Sequence, residues 1–361
     1  MKEEKSHQDF TRLLMLWHKK YNKRQMPWKG EKDPYKIWLS EIILQQTRVD
    51  QGLQYYLRFV TKYPTVQLLA AAEDVEVFKL WEGLGYYSRC KNLLAAARFI
   101  VGHHSAIFPN NYNELLHLKG VGPYTAAAIA SFAYNLPHAV VDGNVNRVLS
   151  RFFNIKIPID STSGKVQFTE LAGKLLDTKN AALYNQAIMD FGATICKPKL
   201  PLCDACILQR QCKAYEKNKV NELPVKEKKI IKKNRWFYYV LAEYDDKILI
   251  RKRTGKDIWQ NLHEFVLIES DAPQTKEHIM ASKAFKVIAG KSYMELQVSA
   301  NFKQQLTHQT IHALFFCIRQ SKKITPEGVE WVSKENISSL AFPKLINNYL
   351  QREMPYKSQA G

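Results

Sequence analysis

No stretch of this 361-residue chain is apolar for long enough to cross a bilayer. The run LLAAARFIV is cut by Arg98 and is too short. The opening MKEEKSHQDF is charged and leads into no apolar core of a secretory signal. No internal repeat and no low-complexity tract is present, which argues against solenoids and disordered scaffolds. These absences lead us to expect a cytoplasmic globular protein with reduced thiols. Acidic residues are also scarce: 34 Asp and Glu stand against 53 Lys and Arg, for a net charge of +19. Such an excess suits a polyanionic partner, nucleic acid being the commonest. An indifferent basic surface is the other reading of charge alone. The length suggests two domains, and 46% apolar residues suit ordinary cores.

Up to about residue 216 the apolar residues recur three and four apart, as in helices. Asp33-Pro34 provides a cap and a proline at the first helical position, so a helix is expected through YKIWLSEIILQQT. ELLHL, a KGVG turn and PYTAAAIASFAY read as helix, turn and helix. Residues 221–234, NELPVKEKKIIKKN, are polar and rich in Lys, and read as a linker. Beyond them the pattern becomes β-rich. WFYYVLAEY and KILIRKR flank an Asp-Asp turn as a hairpin, a helix is expected near 274–287, and HALFFCI is a strand. The expected fold is therefore multidomain: an all-α region over 1–220, a linker over 221–234 and an α+β module over 235–361.

Cysteine is sparse but not scattered. Four of the six, Cys196, Cys203, Cys206 and Cys212, fall in the spacing C-x6-C-x2-C-x5-C. Four thiolates in one short loop can surround a cluster of several irons, whereas a single zinc usually takes two close pairs with a longer spacer. Zinc remains the rival ligand. Lys197, Lys199, Arg210 and Lys213 decorate the same loop and suit phosphates. Cys90 and Cys317 are expected to be ordinary buried thiols.

Three further features could carry chemistry. Leu118–Ala126 has the form of a helix–hairpin–helix near 113–134, in which Gly120, Val121 and Gly122 form the turn and Pro123 opens a helix. The free N–H groups of that helix start suit a phosphate, though a plain helical corner would look the same. Asp142, in VVDGNVNRV, can cap the helix that follows it. A capping carboxylate held rigid is also well placed beside a developing cation. Glu41 has Ile37 and Leu44 as helical neighbours. A half-apolar setting would raise its pKa, and a solvated helix edge is the alternative.

Met26-Pro27-Trp28, SEIILQQTRV, WEGLGYYSR, LKGVGPYTAAAI, VVDGNVNRV, NQAIMDFGATIC and the four cysteines follow one another in order. In this the chain resembles the MutY-family adenine DNA glycosylases of the helix–hairpin–helix superfamily, nearly continuously over its first two thirds. The resemblance implies a [4Fe–4S] cluster on the four cysteines and a monofunctional glycosylase of base excision repair. Its substrate would be double-stranded DNA carrying adenine opposite 8-oxoguanine or guanine, with the adenine flipped out and its N-glycosidic bond hydrolysed. The resemblance makes Glu41 the acid that protonates N7 of adenine, and Asp142 the carboxylate that stabilises the sugar cation. Tyr124 and Asn144 would order the pocket around them. Gln46 and Tyr86 would wedge the base stack, with Thr47, Leu84 and Gly85 beside them on the DNA. Trp28, Lys29 and Gln186 would line the adenine pocket. Lys29 stands where the family commonly has Arg, so the planar fork is lost. Bifunctional relatives carry a lysine where this chain has Tyr124, and a phenol cannot form their Schiff base. A DNA-associated monomer, bacterial and free of membranes, is expected.

From about residue 235 the chain resembles the Nudix-like C-terminal domain of that family, through the hairpin and GKDIWQNLHEF. A Nudix hydrolase needs a Glu-rich helix for Mg²⁺, and the candidate helix here is Lys- and Ala-rich. A recognition module is therefore expected, reading 8-oxoguanine through Leu306, Thr307 and His308. Leu306 replaces the family's aromatic residue, and a plain strand entry would look similar. Two other functions fit parts of the pattern: a pyrimidine-directed glycosylase on the same scaffold, and a catalytically silent DNA-binding or redox-sensing protein.

Overall fold

The computed structural model describes residues 2–227 and 231–353. Residues 228–230 of the expected linker, and 354–361 of the expected C-terminal module, lie outside it. The chain divides into two compact units, Met1–Ala71 with Asn92–Lys229, and Ala72–Lys91 with Ile230–Gly361. No helix among the described residues is long and apolar enough to cross a membrane.

The first unit is helical: α1 (Lys2–Tyr21), α2 (Pro34–Leu44), α3 (Val49–Lys62) and α4 (Val66–Ala71) come first in the chain. After α5 (Asp74–Trp81), which belongs to the second unit, α6 (Ser88–His103) leads back into the first. There follow α7 (Tyr112–His117), α8 (Pro123–Tyr134), α9 (Gly143–Phe153), α10 (Thr162–Leu175), α11 (Ala181–Thr194) and α12 (Lys213–Glu216). One core gathers Phe10, Leu14 and Trp17 of α1 with Phe152, Phe168, Tyr184 and Phe191 of α9 to α11. Trp17 meets Phe191 edge to face at 5.0 Å between centroids. The helix α2 is buried nearly all round, from Tyr35 to Ile43, and packs against α3 and α8. On α8 the small residues Ala126, Ala127, Ala128 and Ala130 are buried and let the two backbones come close.

The sequence signals explain the boundaries of these helices. Asp33 caps α2 by accepting from Tyr35 N at 2.9 Å, with Pro34 at the first position. The helix ends at Leu44, three residues before the Thr47 that the pattern predicts. Gln45 turns extended, and Gln46 adopts a left-handed φ of 55° that no helix continues. In the hairpin, Gly120 has a φ of +80°, and a Cβ there would meet Asn92 Cβ at 2.9 Å. Glycine is needed at that position on both counts. Gly122 is extended at φ −100° with open space around it, so the second glycine is not required by the turn.

The second unit is a sheet between helices. Its strands are β1 (Lys233–Tyr244), β2 (Lys247–Lys252), β3 (His263–Glu264), β4 (Val266–Ser270), β5 (Tyr293–Val298), β6 (Phe302–Gln305), β7 (Gln309–Gln320) and β8 (Glu330–Ser333). The expected hairpin is present as β1 and β2. β1 runs parallel to β7 from Lys233↔Gln309 to Glu243↔Arg319, and β5 and β6 pair antiparallel with β7. Side chains alternate along β1. Tyr238, Val240 and Ala242 face a cluster with Phe285 and Ile288. On the other side Tyr239 stacks on Phe315, which stacks on Tyr349 of α15 (Lys344–Glu353) at 3.8 Å. The helix expected over 274–287 is two helices, α13 (Lys276–Ala281) and α14 (Lys283–Ala289). Ser282 breaks it by ending one extended and capping the other, its hydroxyl accepting from Phe285 N at 3.2 Å.

Candidate active site

A cavity of about 1020 Å³ opens in the helical unit. Its wall includes Trp28, Lys29, Glu41, Gln46, Thr47, Tyr124, Asp142, Asn144 and Gln186, nine of the residues singled out in the sequence. Gly120, Val121, Gly122, Leu84, Gly85 and Tyr86 do not line it.

The two carboxylates reach the cavity by different means. Glu41 projects from the buried helix α2 and is only 8% exposed. Burial pushes its carboxyl up to about 7; a hydrogen bond with Tyr124 pulls it down, and the charge of Asp142 pushes it up again. The solvated-edge alternative for Glu41 is therefore excluded. Burial also holds the Tyr124 phenol well above its ordinary value. Asp142 is the N-cap of α9, so the capping reading holds as far as it goes. Oδ1 accepts from Val145 N at 2.8 Å and Oδ2 from Asn144 Nδ2 at 2.7 Å. Burial raises its pKa, while these bonds and the charge of Arg147 oppose the rise.

Arg147 braces this corner. It donates to Asn144 Oδ1 at 2.7 Å, to Gly192 O at 2.7 Å and to Cys196 O at 2.7 Å. Gly192 admits the close approach, since a Cβ there would lie 2.7 Å from Asn144 Cβ. Another bracing group escaped the sequence reading. Asp190, fully buried, accepts from Asn22 Nδ2 at 2.8 Å and Arg24 Nη1 at 2.9 Å, with Lys29 Nζ at 3.3 Å. Lys29 also donates to Arg24 O at 2.7 Å. Thus Lys29 and Arg24 line the cavity on a shared buried anion. Asp190 lies in the quoted NQAIMDFGATIC, but its partners stand more than 160 residues away and no local pattern announces them.

The four clustered cysteines are free thiols that line one small pocket with Arg151 and Tyr215. Arg151 Nη1 lies 3.4 Å from Cys196 Sγ and donates to Lys197 O at 2.7 Å. Burial pushes the Cys206 thiol up to about 12 and raises those of Cys203 and Cys212. Among the described residues no group of three or more His, Cys, Asp or Glu side chains closes into a metal-ion site. The four thiols share a pocket wall without converging on a point. Cys90 and Cys317 are buried elsewhere, as expected.

Within the second unit, Gly85, Tyr86, Leu306, Thr307 and His308 line a pocket of about 390 Å³ with Asp257, Trp259 and Gln260. Leu306–His308 forms the turn between β6 and β7, and Tyr86 Oη hydrogen-bonds Thr307 Oγ1. Tyr86, like Gln46, holds a left-handed backbone, at φ 48°. Both expected wedges thus occupy a conformation costly for such residues.

Comparison with known proteins agrees with this architecture. The HhH-GPD superfamily base excision DNA repair protein family matches residues 39–168, and the NUDIX domain family matches residues 237–352. The adenine DNA glycosylase of Buchnera aphidicola subsp. Schizaphis graminum is 32% identical over 351 residues, covering 95% of this chain and 98% of that protein. The adenine DNA glycosylase of Rattus norvegicus is 41% identical over 217 residues, 58% of this chain and 42% of the rat protein. Among solved structures, a thermostable thymine-DNA glycosylase is 29% identical with a TM-score of 0.56, covering 60% of this chain and all of its own. An endonuclease III–DNA complex, 21% identical with a TM-score of 0.51, covers 59% of this chain and 97% of its own, and shares the helical fold. The chain belongs to the adenine DNA glycosylase family, base-excision-repair hydrolases of N-glycosyl bonds that here join a helical HhH-GPD region to a NUDIX domain.

Proposed function

We propose that this protein removes adenine mispaired with 8-oxoguanine or guanine in duplex DNA, by flipping the adenine into the helical cavity. The observation that carries the reading is the pairing there of Glu41, held near pKa 7 by burial, with Asp142, held rigid as a helix cap. Adenine leaving as an anion is a poor leaving group. Glu41, whose burial favours the protonated form toward neutral pH, donates to N7 as the C1′–N9 bond breaks and its electron pair leaves with the base. The deoxyribose then carries oxocarbenium character, which the fixed carboxylate of Asp142 stabilises. Water adds to C1′, and its proton returns to Glu41. Tyr124 and Asn144 keep the two carboxyl groups oriented. Tyr124 offers no amine for a Schiff base, so base removal proceeds without an efficient strand-cleaving step.

Extrusion of the nucleotide leaves a gap for wedges to fill. Gln46 and Tyr86 take that role, beside Thr47, Leu84 and Gly85. The hairpin Gly120–Gly122 and the start of α8 hold phosphates, while Trp28, Lys29 and Gln186 contact the flipped base. In the second unit Leu306, Thr307 and His308 read the opposite base, where a hydroxyl and an imidazole can reward the N7–H of 8-oxoguanine. The thymine-DNA glycosylase neighbour keeps a pyrimidine-directed reading in play. The buried, proton-holding Glu41 favours the purine reading, because N7 is the atom it serves.

Cys196, Cys203, Cys206 and Cys212 would hold a [4Fe–4S] cluster. What supports this is the chemistry of the donors, four cysteine sulfurs that line one pocket. When bound, the cluster would pin the basic loop 196–213 for phosphate contact. Anaerobically purified protein should carry about four irons per chain, and stoichiometric zinc without visible absorbance would refute this. The function is tested by incubating duplex containing adenine opposite 8-oxoguanine, then treating with alkali to reveal abasic sites. Cleavage at the adenine is expected; cleavage only at a mispaired thymine would refute the reading.

A further inference from the structure

The loop between β2 and β3 forms one wall of the second pocket through Asp257, Trp259 and Gln260. The turn Leu306–His308 forms another. Some device must hold the two at a fixed spacing, because neither is regular structure. Arg235, on β1, makes contacts that reach both.

Its five N–H donors are all engaged. Nε and Nη2 donate to Glu269 at 2.6 and 2.9 Å, and Nη2 and Nη1 donate to Asp257 at 2.7 and 2.9 Å. Nη1 also donates to Gln309 Oε1 at 3.1 Å, one residue beyond His308. The guanidinium lies 4.9 Å from the centroid of the buried Phe237 ring. On the loop side Asp257 is gripped a second time, by Arg253 Nη2 at 2.8 Å. Arg253 also donates to Ile258 O at 3.1 Å and closes the loop base through Asn261 N→Arg253 O at 2.7 Å. Trp259 and Asn261 keep left-handed backbones there, at φ 62° and 71°. Such conformations persist only where the surroundings over-determine them.

We propose that Arg235 is a positioning residue for opposite-base discrimination: by tying Asp257 of one loop to Gln309 beside the other, it fixes the width of a pocket that accepts the oxidised purine. This rests on the reading that Leu306–His308 meets the base opposite the adenine. It adds the 255–261 loop as the facing wall and names what sets the gap. A planar fork bridges two partners in fixed directions, and a lysine ammonium cannot.

The test uses the full chain and the ratio of kcat/KM for adenine opposite 8-oxoguanine to that opposite guanine, per active molecule. Arg235→Gln, Arg235→Lys and Asp257→Asn should each lower the ratio about tenfold, the worth of roughly one hydrogen bond. The loss should fall on KM, with kcat at saturating substrate retained. Asp257→Asn leaves Arg235 on Glu269, so it reports the bridge even where Arg235→Gln folds poorly. A role in stability alone would reduce active protein and leave the ratio unmoved. Full retention of the ratio in Arg235→Lys or Asp257→Asn would overturn the proposal. Thr307→Ala/His308→Ala separates the two levels. If it lowers the ratio while the Arg235 and Asp257 variants do not, the bridge is wrong. If it too leaves the ratio intact, the reading of the opposite base at this pocket is wrong, and the bridge falls with it.

Discussion

Both units bury glutamates, and Glu264 and Glu41 are treated in opposite ways. Glu264 in the sheet unit is fully buried and receives Arg251 at 2.6 Å and Arg253 at 2.7 Å, so its charge is matched on both oxygens. Glu41 in the helical unit is nearly as buried, but its neighbours are a phenol and a second carboxylate. Burial without a cation drives Glu41 up to about 7. The aspartates repeat the contrast. Burial, the largest influence on Asp257, would raise it, but the hydrogen bonds from Arg235 and the Ile258 backbone together with the charges of Arg235 and Arg253 bring the net shift downward. Asp142 has its backbone and amide donors and the charge of Arg147, yet burial prevails and its net shift is upward. A buried acid whose charge is matched by arginines suits a strut; one in which burial stays dominant, as in Glu41 and Asp142, suits the proposed role of reagent. The chain has cations to spare, so the lack of a cation beside Glu41 among the described residues is a local arrangement and not a shortage.

The contrast can be broken first at the reagents. Glu41→Gln and Asp142→Asn should each slow single-turnover excision by ~10²–10⁴-fold, the range for lost acid–base assistance. DNA binding, read by a gel or anisotropy titration, should survive. Near-normal rates in either variant would remove it from the chemistry. On the strut side, Glu264→Ala should cost about 3 kcal/mol in denaturant melts, because a buried ion pair is broken and Arg253 keeps only the half-exposed Asp257 as its anion. Excision per folded molecule should hardly change, and a catalytic loss larger than the stability loss would erase the distinction drawn here. A smaller effect is expected at the second pocket. Thr307→Ala/His308→Ala should lower the preference for 8-oxoguanine over guanine by about one to two orders of magnitude, as two neutral hydrogen bonds are lost. An unchanged excision-rate ratio would place the reading elsewhere.

The two regions also differ in how much of them the sequence discloses. Local signals were readable: the Asp33 cap, Pro34, the Asp142 cap, and the hairpin of β1 and β2 each follow from neighbours a few residues away. The cavity residues were legible because the family's motifs, from Trp28 to Gln186, recur in order. Burial of Glu41 was open between two readings until α8 was seen packed against α2. What stayed hidden is long-range or conformational. Asp190 gains Asn22 and Arg24 across more than 160 positions, and Arg235 meets Gln309 across 74. The left-handed backbones of Gln46 and Tyr86 are imposed by the fold, since neither residue type asks for them. The break at Ser282 was missed because a serine inside an apolar period looks like an exposed helix position until its hydroxyl is seen capping α14.

The central claim is that Glu41 works as a neutral acid because it is buried without a cation. The pH dependence of kcat/KM on adenine opposite 8-oxoguanine reports the acid of the free enzyme. Glu41 is active when protonated, so the rate should fall as pH rises through about 7, losing about tenfold per pH unit beyond. In Glu41→Gln this alkaline limb should disappear and leave a low, flat profile. An alkaline limb that persists in Glu41→Gln, or wild-type activity that stays level well above pH 7, would contradict the account.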